Sequence, residues 1–196
     1  QFVERARRRG ASVAVTASTG IAATHVNGQT LHSWSGVGVA TSLSDALYKR
    51  IRARRRKAVN AVEVLVIDEV SMLPAWLFDM VDQVCRRLRN DSAPFGGLQV
   101  VLSGDFFQLP PVVRRGRGTD VHDPEAEANR ERYRGQGRDP DGFVTESFVW
   151  REMGARVCYL TEQHRQDGGA LLAVLTDIRD ADVTDGDRLA LLSRCG

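Results

Sequence analysis

Residues 64–73 read VLVIDEVSML. Four apolar residues, Val64 to Ile67, lead straight into two adjacent acids, Asp68 and Glu69. A short uninterrupted apolar run suits a strand buried on both faces, as in a parallel sheet. Two carboxylates at its end suit a hard cation. Mg²⁺ keeps most of its waters and takes one or two protein carboxylates beside phosphate oxygens. In that reading Asp68 holds the ion, directly or through water, and Glu69 orients or deprotonates an attacking water. Taken alone, the segment reads first as an acidic turn closing a strand, and only second as a nucleotide site.

Working outward, ASVAVTAS (11–18) reads as a buried strand opening into a small-residue loop, and LQVVLSGD (98–105) as another strand. RVCYLTEQHRQ (156–166) reads as a fourth strand with a turn after it. Helical patterns lie between them. TGIAATHV (19–26) has Thr19 as a cap, and LSDALYKRIRARRRKAVN (43–60) has Ser44. PAWLFDMVDQVCRRLRN (74–90) starts on Pro74 and carries an apolar stripe of Trp76, Leu77, Met80, Val81, Val84 and Leu88. GALLAVLTDIRD (169–180) is a further helix. GQTLHSWSGVG (28–38) is punctuated by glycine and reads as irregular. Residues 114–142 are almost devoid of apolar side chains and read as a polar loop or disordered insertion. Strands alternating with helices predict an α/β domain with a mostly parallel sheet, whose ligands sit beyond the carboxyl ends of the strands.

The 196 residues carry a net charge of +2, which hides an asymmetry. Residues 1–57 hold 11 Lys or Arg against Glu4 and Asp45, whereas residues 58–196 hold 16 against 23 acids. A basic first third suits either a polyanion or a solvated helix face. The three cysteines, Cys85, Cys158 and Cys195, are scattered without a C-x-x-C, so neither a disulfide framework nor a zinc site is expected. No apolar run is long enough to span a bilayer, and the opening QFVERARRRG puts charge where a signal peptide needs an apolar centre. A cytosolic or nucleoid-associated protein is the expectation.

Two further segments sharpen the chemistry. VVLSGDFFQLPPV (100–112) places Gln108 in a turn braced by Pro110 and Pro111. A neutral amide accepts from water and donates to a phosphate oxygen, and phosphoryl transfer depends mainly on such positioning. LTEQHRQ (160–166) offers Arg165 either as a charge-stabilising finger or as a plain surface residue. His32 reads equally as a ligand contact or a buried, satisfied histidine. Trp34 reads as core in preference to a base-stacking ring.

Four segments, TASTGIAATHVNGQTLHSW (16–34), VLVIDEVSML (64–73), SGDFFQLPPV (103–112) and LTEQHRQ (160–166), occur in an order that resembles the petite-integration-frequency (Pif-type) DNA helicases of superfamily 1, which translocate 5′ to 3′ on single strands. The resemblance covers most of the chain except 114–142. It implies a RecA-like three-layer domain over residues 1–196, incomplete at both ends, in a monomeric motor that uses ATP and Mg²⁺ on single-stranded and forked DNA. It makes Asp68 and Glu69 the Walker B pair, Gln108 the terminal-phosphate sensor and Arg165 an arginine on the nucleotide. Thr16, Ser18, Thr19 and Gly20 become contacts to the DNA backbone. Thr30, Leu31 and His32 form a second strand-facing segment, within a DNA-facing insertion over about 28–60. The family's nucleotide loop, G-x-x-x-x-G-K-[ST], has no counterpart here, since neither Lys49 nor Lys57 follows a glycine. That loop is expected upstream of Gln1, and a second motor domain after residue 196. Two rival readings stay open: a RecD-like or relaxase-linked helicase, and a degenerate, non-catalytic module that binds single-stranded DNA.

Overall fold

The computed structural model describes residues 1–111, 123–160, 170–179 and 181–192, in two compact units, 1–155 and 156–196. In the first unit four strands, β1 (Val13–Ala17), β2 (Gln29–Thr30), β3 (Val64–Asp68) and β4 (Gln99–Leu102), form one sheet in the order β2-β1-β3-β4. Every pairing is parallel, with Val13 opposite Val64, Ala17 opposite Asp68 and Ile67 opposite Leu102. This is the α/β parallel sheet expected from the alternation of strands and helices.

Register decides which side chains go inward. Ala14 and Thr16, Leu65 and Ile67, and Val100 and Leu102 share one face of the sheet. Leu65 and Ile67 are fully buried there, beneath α3 (Leu31–Ser35), α4 (Asp45–Asn60) and α5 (Ala75–Arg89). Val13, Val15, Val66 and Val101 alternate onto the other face and remain half-buried. The stripe on α5 is buried at Leu77, Met80, Val81, Val84 and Leu88, while Trp76 stays half-exposed at the end nearest the sheet edge. Phe78 meets Phe95 edge to face at 5.0 Å. Each such buried side chain stabilises the fold by about 1.5–3 kcal/mol. Trp34, 4% exposed, belongs to this core.

Several elements differ from expectation. The stretch 28–38 is ordered as β2 and α3. Gly28 passes so close to β1 that a Cβ would lie 2.4 Å from the Val15 carbonyl oxygen. Thr30 then caps α3 by accepting from the Ser33 N–H at 3.2 Å, and Gly36 ends it in the left-handed conformation. In place of a structureless insertion, Pro124–Arg134 forms α6. Asp123 caps it, accepting from Glu125 and Ala126 N–H at 3.1 Å each, and Pro124 starts it. Arg134 pairs with Glu127 and Glu131 along its surface. The fourth predicted strand is not formed over 156–160, where Tyr159 and Leu160 are exposed. Residues 161–166 lie outside the described residues. The second unit contributes α8 (Ala170–Arg179), as expected, and α9 (Asp185–Leu192) against it. The first unit also holds α1 (Phe2–Arg8), α2 (Gly20–His25) and α7 (Phe148–Glu152). Among the described residues no helix is long and apolar enough to cross a membrane.

Candidate functional site

Because β1, β3 and β4 end in register, their exits gather at one edge. The Ser18 N–H donates to the Asp68 carbonyl at 3.1 Å, the Ser103 N–H to Ile67 at 3.0 Å, and the Val70 N–H to Ser103 at 2.9 Å. The ladder thus continues past the strands and fixes Ser18, the Asp68-Glu69 pair and Ser103-Gly104 relative to one another. Glu69 sits at φ 52°, ψ 43°, the left-handed region, and turns the chain into a 3-10 turn over Val70–Met72. A non-glycine residue there costs about 1–2 kcal/mol, strain of a kind that clusters at functional sites. The turn leaves no room beside it. A Cβ on Gly104 would lie 3.0 Å from Val70 Cγ1 and 3.1 Å from the Val70 and Ser71 nitrogens. Gly104→Ala is therefore expected to displace the Glu69 turn and destabilise the protein by about 1–3 kcal/mol, measurable by denaturant unfolding.

Asp68 and Glu69 are both half-buried. Among the described residues no group of three or more His, Cys, Asp or Glu could enclose a metal. Two hard oxygen donors on an open edge fit Mg²⁺, which completes its shell with water and phosphate. Gln108 is exposed, and its amide is held by Asp105. The Nε2 group donates to Asp105 Oδ2 at 3.1 Å, and the Phe107 N–H donates to Oδ1 at 3.0 Å. Asp105, the acid that ends LQVVLSGD (98–105), thus holds Gln108 in position. Phe106 anchors the same turn edge-on against Phe143 and Trp150. Arg165 lies outside the described residues.

The DNA-facing candidates part company. Ser18, Thr19, Thr30 and His32 line one open groove of about 680 Å³. Thr19 and Thr30 double as caps of α2 and α3, so the starts of two helices lie beside that groove. Thr16 is not there. Its register places it inward, fully buried, with its hydroxyl donating to the Val66 carbonyl at 2.8 Å. Its neighbour Gly20 opens α2 and is exposed, outside the groove lining. The buried Ser18 hydroxyl has no hydrogen-bond partner among the described residues. Burial lowers the pKa of His32 below the ordinary imidazole value, so it is neutral at pH 7. Met72, Trp76, Arg130 and Asp141 also line the groove, and none was legible as a groove residue from its own segment. Outside the groove, Lys49, Arg50, Arg52, Arg54, Arg56 and Lys57 are exposed on α4.

Comparison with known proteins places these features. A family model described as PIF1-like helicase matches residues 1–127. The chain is 42% identical over 171 residues to the ATP-dependent DNA helicase Pif1 of a Psychrobacter species, covering 86% of this chain and 23% of that protein. The crystal structure of Pif1 helicase from Candida albicans superposes with a TM-score of 0.74 at 32% identity, covering 95% of this chain and 38% of that one. A Bacteroides Pif1 helicase in complex with ADP-AlF3 and ssDNA gives 0.66 at 30%, covering 90% of this chain and 38% of that one. This chain thus spans under a quarter of that curated relative and under two-fifths of those solved chains. With the family model matching well over half its residues and the fold agreeing, the chain belongs to the PIF1-like helicase family.

Proposed function

We propose that the whole protein is an ATP-dependent DNA helicase that moves 5′ to 3′ on single-stranded DNA and opens forked duplexes. The observation that carries this reading is the meeting, at one sheet edge, of the Asp68-Glu69 pair with the groove of Ser18, Thr19, Thr30 and His32. Asp68 is the residue to hold Mg²⁺ with ATP; the ion, when bound, neutralises charge on phosphate oxygens. Glu69 takes the proton of the attacking water. Gln108, steadied by Asp105, orients that water against the terminal phosphate. Arg165 is assigned to the developing charge on that phosphate. In the groove, hydroxyls and helix-start N–H groups suit backbone phosphates without reading bases.

The two sites are mechanically joined. Asp68 shares a backbone hydrogen bond with Ser18, and the 3-10 turn that begins at Glu69 ends at Met72 in the groove wall. The carboxylates are thus joined to the groove lining by short stretches of hydrogen-bonded backbone. The test is a tailed-duplex assay with the full-length protein. ATP hydrolysis stimulated by single strands, with unwinding of 5′-tailed but not 3′-tailed duplexes, is the expected result. Salt-sensitive single-strand binding without any hydrolysis would replace the helicase by a non-catalytic binding module.

A further inference from the structure

Among the described residues, only two charged side chains line the groove: Arg130 from α6 and Asp141 from the loop after it. The rest of the lining is hydroxyl, backbone, apolar or the neutral imidazole of His32. The guanidinium Nη2 lies 3.6 Å from Asp141 Oδ1, with the two side chains 35% and 27% exposed. That separation makes a loose ion pair, too long for a hydrogen bond and far from a closed bidentate one.

Both residues are carried on firmly seated backbone. At its start α6 is tied to Thr41 in the groove lining and to the adjacent Ser42, with Thr41 Oγ1 donating to Asp123 at 2.9 Å and Ser42 Oγ to Glu125 at 3.4 Å. Near its end Tyr133 donates to the buried Asp79. The 139–142 loop is tied to α5, whose Ala75 and Trp76 N–H groups donate to Gly142 at 3.0 Å and Pro140 at 3.1 Å. Only the side chains need move.

We infer that Arg130 is a contact to a backbone phosphate of the bound single strand, with Asp141 holding its guanidinium at the groove wall until a phosphate replaces it. This rests on the groove being the single-strand track. A carboxylate alone in a polyanion's path repels it, and only its pairing with a cation makes Asp141 tolerable there. A planar guanidinium matches phosphate as well as carboxylate, so exchange between the two is chemically symmetric. Asp141 competes for Arg130 and keeps the contact weak enough to release, as a strand that must slide requires.

The test is equilibrium binding of a labelled oligothymidylate to the full-length protein over a series of salt concentrations. Arg130→Gln is expected to weaken binding on the order of tenfold and to lower the slope of log K against log salt by about 0.7, the value for one phosphate contact on a single strand. Arg130→Lys should restore the slope, and Asp141→Asn should tighten binding several-fold. Thr19→Asp separates the two levels of inference, because aspartate keeps the α2 cap while placing a carboxylate in the groove. Loss of binding in Thr19→Asp with an unchanged slope in Arg130→Gln overturns the role of Arg130 alone. Wild-type binding in Thr19→Asp overturns the groove as the track, and the role of Arg130 with it.

Discussion

Glu69→Gln in the full-length protein is expected to cut DNA-stimulated ATP turnover by about 10²–10⁴-fold while leaving nucleotide binding near wild type. The substitution keeps size and the left-handed backbone and removes only the ability to take a proton. Steady-state hydrolysis beside equilibrium binding of a nucleotide analogue separates the two quantities. Near-normal turnover would take Glu69 out of the chemistry. The backbone adds a second readout. Glu69 holds φ at 52°, where glycine pays no steric penalty, so Glu69→Gly should be inactive yet more stable by about 1 kcal/mol. A higher Tm in an inactive variant is what strain kept for function looks like. A lower Tm would mean that the carboxylate contributes more to the fold than its conformation costs.

The largest loss of stability is expected at Asp79. Its carboxylate, 7% exposed, accepts from Phe148 N–H at 3.0 Å and Val149 N–H at 2.9 Å at the start of α7, and from the Tyr133 hydroxyl. Burial and the neighbouring Asp79 charge push the tyrosine hydroxyl well above its ordinary pKa, so it stays a donor. Asp79→Ala strands three donors and should destabilise the protein by about 3–5 kcal/mol, with Asp79→Asn in between, as measured by denaturant unfolding. Tyr133 is the one buried residue of α6 among those described. The same variant should therefore loosen the helix that carries Arg130. A cost under about 1 kcal/mol would show that α7 and α6 are held by other contacts.

What was legible in the sequence followed from local pattern. The uninterrupted run Val64–Ile67, the stripe on α5 and the caps at Thr19 and Ser44 each specified an element without help from afar. The convergence of Ser18, Thr19, Thr30 and His32 came from the family resemblance, and the groove brings them together. α6 was missed because a helix with one buried residue has no apolar period; its signals were the Asp123-Pro124 start and the spaced Glu-Arg pairs. The strand over 156–160 was read from β-prone residues, but a strand also needs a neighbour, and those residues stand exposed. Thr16 was placed at the DNA backbone by the family resemblance, together with Ser18, Thr19 and Gly20. The register with Val66 and Ile67 turned it inward. Asp79, Arg130 and Asp141 have partners that no local pattern names, whereas Asp105 bonds the residues two and three ahead of it.

The parallel sheet also bears on how the chain reaches this state. Val13 pairs with Val64, and Val64 in turn with Gln99, so among the described residues no strand meets its partner through a short hairpin. Such distant pairings close late and slowly, and until they do VLVI is an open, uncharged template for other chains. The next two residues are Asp68 and Glu69. Negative charge flanking an aggregation-prone run is a gatekeeper against misassembly, and Asp68 and Glu69 stand where such charge would protect the nascent chain.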